Sequence, residues 1–137
     1  MPLTLRPHEG INDLTFGSSV ADIIAHLGEP DSTEQIDNAA DIPTTLLRYN
    51  SMGVSIFCEG EEPRMACVDI DSMDATLFGE ALFTLDERAI VRLMVEHDYV
   101  EQDADNEAWG ERRISFPQAN IDFYLDDGAL VSIIMGR

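Results

Sequence analysis

The chain has 137 residues, 45% of them apolar, and its eight basic residues stand against 27 acidic ones for a formal charge of −19. That length gives one domain with enough apolar side chains for a packed core, so the charge does not make the chain disordered. Phosphate backbones and anionic membrane surfaces are repelled, which disfavours nucleic-acid and membrane partners, and no window approaches the roughly twenty apolar residues of a transmembrane helix. The partners such a charge favours are cationic; the plainer reading is that it serves solubility.

In chain order, residues 1–10 contain neither a basic leader nor a long apolar run, so the expected address is cytoplasmic. Val20, Ile23, Ile24 and Leu27 then form one stripe of a short helix with Ser19 as N-cap, and Gly28 with Pro30 ends it. The acidic stretch 31–41 has no apolar period and reads as a loop. Strands are predicted over 45–50, 53–59 and 64–71, separated by turn residues.

A second helix follows, capped by Thr84 with Glu87 completing a capping box, striped by Ile90, Val91, Met94 and Val95 and running to about His97. The acidic stretch 98–107 again reads as a loop. Strands are predicted over 111–116, 120–126 and 129–135, and Asp127-Gly128 between the last two is a strong hairpin signal.

The chain thus reads the same order twice. At a constant offset of 67, Phe16, Ile23, Glu29, Asp31, Glu34 and Gln35 fall on Phe83, Ile90, Glu96, Asp98, Glu101 and Gln102, and Val54 to Phe57 fall on Ile121 to Tyr124. Met65 to Val68 match Leu130 to Ile133 at an offset of 65. The expected fold is therefore α+β, a tandem repeat of a helix followed by a three-stranded antiparallel meander, with the helices packed on one face of the sheet. Residues 1–137 form a single domain built of two repeats, about 11–72 and 78–137, which share a core because neither is large enough to stand alone.

Alternation assigns the faces. Val54, Ile56, Cys58, Ala66, Val68 and Ile70 point towards the helices, as do Ile121, Phe123, Leu125, Val131, Ile133 and Met135. The opposite face then carries Phe57, Met65, Cys67, Tyr124, Leu130 and Ile134 among Asp69, Asp122, Asp126 and Arg113. That is more apolar than a solvated face requires. Either another element covers it, such as Leu3 to Leu5 or a second copy of the chain, or it is an acid-rimmed, aromatic-centred recognition surface.

Little points to catalysis. His8, His26 and His97 are dispersed, the last two near helix ends where the dipole favours a cation, and no serine sits in a nucleophile elbow. Glu96-His97-Asp98 looks catalytic in isolation, but the corresponding residues of the first unit are Glu29, Pro30 and Asp31. The acidic runs at 69–74 and 103–107 fail the calcium-loop pattern, at Met73 in one and at Ala108 in the other. No zinc spacing, phosphate loop or dinucleotide fingerprint occurs, so no metal or cofactor is expected. Cys58 and Cys67 read as reduced, half-buried core residues, and Trp109 as a core or loop anchor with an exposed binding anchor as the alternative.

The run Ile11 to Pro30, with a small loop, a short helix and Leu27-Gly28-Glu29-Pro30, resembles the opening of the β-lactamase-inhibitor-protein-like and SmpA/OmlA-like modules. The resemblance implies a helical segment followed by an antiparallel sheet and, in the inhibitor, two units in tandem that present a concave sheet to a target. In general style the chain also resembles the small acidic immunity proteins that neutralise basic bacterial toxins. The expectation is a non-enzymatic, inhibitory binding protein of the immunity type. Its basic protein partner, such as a toxin, meets Phe57, Asp69, Asp122, Tyr124, Asp126 and Ile134. The alternative is a small-ligand-binding or regulatory homodimer that buries the same face.

Overall fold

The computed structural model describes residues 2–36 and 42–137. Within them, β1 (Leu3–Arg6), β2 (Gly10–Ile11) and β3 (Leu14–Thr15) precede α1 (Val20–Leu27). A meander of β4 (Ser32–Ile36), β5 (Thr44–Tyr49), β6 (Val54–Glu59) and β7 (Arg64–Ile70) follows. Then come β8 (Ala75–Leu77), β9 (Glu80–Ala81) and α2 (Glu87–Glu96), and a second meander of β10 (Asp103–Asn106), β11 (Arg112–Phe116), β12 (Ile121–Asp126) and β13 (Ala129–Gly136).

These strands form two sheets, a five-stranded one in the order β3-β2-β1-β8-β9 and an eight-stranded one in the order β10-β11-β12-β13-β7-β6-β5-β4. The expected repeat of a helix plus three strands is thereby corrected: among the described residues the protein is mainly β, with 47% strand, two sheets and two α-helices. Two features defeat the sequence reading. The acidic stretches taken as loops contain the edge strands β4 and β10, with residues 37–41 of the first lying outside the described residues. Five very short strands make the second sheet, where Leu3, Thr4 and Leu5 of β1 run parallel to Ala75, Thr76 and Leu77 of β8.

The central strands match their predicted limits to within a residue. Tight turns fix them: Asp127 and Gly128 have φ of 50° and 83°, the left-handed pair of a two-residue hairpin that sets Asp126 opposite Ala129. Ser19 caps α1 by accepting a hydrogen bond from the Asp22 N–H at 3.2 Å. The cap of α2 differs from expectation. Asp86 accepts from the Ala89 N–H at 2.9 Å, while Thr84 lies in a preceding 3-10 turn and donates its hydroxyl to the Ala81 carbonyl.

One cluster forms the core. Ile23 of α1 and Ile90, Leu93 and Met94 of α2 pack with Leu3, Leu5, Ile11, Leu14 and Leu77 of the small sheet and with the inward side chains of the large one. Leu3 and Leu5 thus belong to the interior and do not cover the outer face. Tyr49, 2% exposed, ties α1 to the sheet by donating its hydroxyl to the Gly28 carbonyl at 2.9 Å. Arg112 of β11 pairs with Glu87 of α2 at 2.6 Å and ties the second helix.

Two bulges correct the assignment of faces. Phe57 pairs with Cys67 but Cys58 pairs with Met65, which leaves Ala66 as an extra residue in β7; Tyr124 pairs with Ser132 but Leu125 pairs with Leu130, which leaves Val131 extra in β13. An extra residue shifts the alternation by one. Met65 and Leu130, expected outside, are buried at 0% and 7% exposure, while Ala66 and Val131, expected inside, are only half-buried.

Candidate interaction face

The outward side of the eight-stranded sheet is organised by register. Ser32, Arg48, Ser55, Asp69, Ile134, Asp122, Ser115 and Asp103 are successive cross-strand partners from β4 to β10, one residue from each strand. They form a lane across the whole sheet, perpendicular to the strands. Glu34, Leu46, Phe57, Cys67 and Gly136 form a second, largely apolar lane beside it. On the other side lie Ser132, Tyr124, Arg113 and Asp105.

All six expected partner-binding residues lie on this face, and the structure brings most of them together. Asp69 and Asp122 flank Ile134 at the centre, and Phe57 stands one lane away beside Cys67. Tyr124 follows Asp122 on β12 and meets Trp109 at a ring-centroid distance of 6.4 Å. Asp126 shares their side of β12 but sits exposed at the hairpin tip, away from the centre. Sequence reasoning placed Trp109 mainly as a core or loop anchor. It is 64% exposed and held over this face by donation of its indole N–H to Glu111 at 2.6 Å.

Leu46 and Ile36 were missed. Leu46 looks like part of a strand buried on both sides, yet it faces outward and is covered to 2% exposure outside the core cluster. Ile36 ends β4, which its acidic surroundings disguised. Ile36, Thr44, Phe57, Glu59, Cys67 and Ile134 line a groove of about 340 Å³ whose walls are mainly apolar. A second hollow of about 420 Å³ shares Glu59, Cys67 and Ile134 with it and extends towards Asp122 and Asn120, so the two form one depression.

The charges are unevenly satisfied. Arg48 pairs with Glu34 at 3.0 Å, and Arg113 pairs with Glu107 at 2.8 Å and with Asp103 at 3.8 Å. Arg113 also donates to the Ser115 hydroxyl. Among the described residues, Asp69 and Asp122 have neither a hydrogen-bond donor nor an ion pair. Burial, and then Asp71, push the Asp69 carboxyl up from 3.8 against a smaller pull from Arg48. Burial and the neighbouring Asp122 and Glu107 push the Tyr124 phenol up in the same way. Arg48 and Arg113 act on Asp69 and Asp122 only from beyond ion-pair distance, their own ion pairs being with Glu34 and with Glu107 and Asp103.

The cysteines are free and lie on opposite faces, Cys58 inward and Cys67 outward, since Cys58 is opposite Met65 while Cys67 is opposite Phe57. Burial raises both thiols to about 11, assisted at Cys67 by Asp69, Glu59 and Asp122. The histidines stay apart from this surface chemistry: Nδ1 of His26 and of His97 each meets a carbonyl of its own helix, Asp22 and Leu93, and His8 Nε2 meets the Gln118 carbonyl.

No helix among the described residues is long and apolar enough to cross a membrane. Comparison of the chain with protein-family models, with curated proteins and with solved structures found no match.

Proposed function

We propose that this protein is a non-enzymatic, inhibitory binding protein that takes a basic protein partner, of the kind a toxin presents, on the outer face of its eight-stranded sheet. One observation carries the reading: the centre of that face combines apolar and aromatic side chains with two carboxylates that, among the described residues, make no ion pair. Interfaces place their apolar anchors centrally and their charge at the rim, and charge complementarity speeds encounter and selects the partner. With a formal charge of −19 the chain attracts cationic surfaces from beyond contact distance, and salt weakens that attraction.

A homodimer through the same face is the weaker reading, because it brings two copies of this acidic rim together. Small-ligand binding finds less support in a depression this open and unpaired.

The test is capture from an extract of the native host on the immobilised chain, in parallel with an Ile134→Arg variant that puts a cation and extra bulk at the centre of the face. The expected result is a basic protein held by the unaltered chain, released by raised salt and absent from the variant. Retention of no basic protein, or equal retention by the variant, refutes the proposal.

A further inference from the structure

The proposed basic partner constrains its own shape, because the two unpaired carboxylates are set by strand register. Asp69 on β7 and Asp122 on β12 both pair with Ile134 on β13, so they stand two strand spacings apart with an apolar side chain between them. Adjacent strands are about 4.8 Å apart, which separates the two positions by roughly 10 Å along a line perpendicular to the strands. The lane beside them is apolar, from Leu46 through Phe57 to Cys67, and opens into the groove that ends at Ile134.

A strand laid on a sheet face leaves its backbone groups unpaired, whereas a helix satisfies its own. Along a helix, residues i and i+7 share a face and are about 10.5 Å apart, with i+3 and i+4 between them. That spacing matches the Asp69 to Asp122 separation and puts an apolar residue over Ile134.

We infer that the partner docks through an amphipathic basic helix laid across β7, β13 and β12, with Arg or Lys at i and i+7 on Asp69 and Asp122 and an apolar side chain at i+3 or i+4 on Ile134. This rests on the proposed function and adds the recognition element. Half-buried carboxylates without donors are costly to hold, and two incoming cations supply what the chain itself withholds. Arg48 and Arg113, nearby on the same face, do not compete, being engaged by Glu34 and by Glu107 with Asp103.

The experiment uses two synthetic helical peptides of identical composition, stapled on the far face and blocked at both ends. One carries Arg at i and i+7 with Leu at i+3 and i+4; the other carries Arg at i and i+4 with Leu at i+3 and i+7. Binding to the full chain is measured by calorimetry at low salt, where general attraction by an acidic surface is the same for both. The expected result is about tenfold tighter binding of the first peptide. That advantage disappears in Asp69→Asn, Asp122→Asn and Ile134→Arg and survives in Glu96→Gln on α2, each variant being checked for a cooperative thermal transition and an unchanged circular-dichroism spectrum.

Equal affinity of the two peptides overturns the inference, as does an advantage that persists in both Asp→Asn variants, or absence of binding by either peptide. None of these touches the broader reading, which falls separately if the extract yields no basic protein or one that Ile134→Arg still retains.

Discussion

Truncation of Met65 tests the bulge in β7, on which the composition of the outer face depends. Unbroken alternation would put Met65 on the same side as Cys67, and shortening a surface side chain there would change stability by no more than about 0.5 kcal/mol. The extra residue Ala66 instead turns Met65 into the core, where it is 0% exposed and packs within the main cluster. Met65→Ala removes a fully buried side chain and leaves a cavity, for an expected loss of about 3 kcal/mol. For a chain of this size that lowers the melting temperature by roughly 10 °C. Cys67→Ala, on the outer side of the same strand, should cost about 1 kcal/mol or less. Urea denaturation followed by circular dichroism measures both. A Met65→Ala protein within about 0.5 kcal/mol of the unaltered one, or a larger effect at Cys67, refutes the bulge and returns Met65 to the outer face.

Three further outcomes are expected. Because burial raises the folded-state pKa of Asp69 above its unfolded value, the folded state binds that proton more tightly and stability falls as pH rises through the window above 3.8. Asp69→Asn should therefore stabilise the protein near neutral pH, and the gain should vanish below the unfolded carboxyl's range; a pH series of melting curves without that convergence counts against the argument. Both thiols are raised from 9.0 to about 11, so at pH 8 their thiolate fraction is about a hundredfold below that of an ordinary cysteine; thiol titration should be slow in the folded protein and fast in urea. Gly128 has φ of 83° and open space around its Cα, so Gly128→Ala should cost about 1 kcal/mol from backbone strain alone, and Gly128→Asn measurably less.

The elements legible in the sequence are those whose information is local. Ser19 and Gly28 bracket α1, and Asp127-Gly128 defines a hairpin, because each works through its own backbone. Alternation located β6, β7, β12 and β13 because one side of each is buried against the helices and the small sheet. The sequence of β10, Asp-Ala-Asp-Asn, has no apolar side to bury, and it becomes a strand only by pairing with β11. The small sheet likewise exists only because β1 pairs with β8, a partner far away in the chain, while its two-residue strands β2, β3 and β9 are too short to leave a period. That Phe57, Asp69, Asp122, Tyr124, Asp126 and Ile134 share the outer face was readable because period two survives through them. The errors at Met65 and Leu130 begin beyond the extra residue in each strand, where nothing in Ala66 or Val131 announces a break. For Trp109 the sequence leaves a core or loop anchor and an exposed anchor both open, because its exposure depends on the turn beside Tyr124 and not on its own residue type.

The junction of the large sheet has a consequence for the order in which the protein can fold. The first meander is complete at Ile70, yet β7 acquires its second neighbour only when Ile133 to Gly136 pair with Cys67 to Ile70. Until then β7 is an open edge whose inner side carries Val68 and Ile70, a template for another chain in the same condition. The parallel pairing of β1 with β8 likewise joins segments more than seventy residues apart. Both joints link the early and late parts of the chain, so neither part can reach its final state alone; folding should be slow for the size of the protein and should occur as one cooperative event.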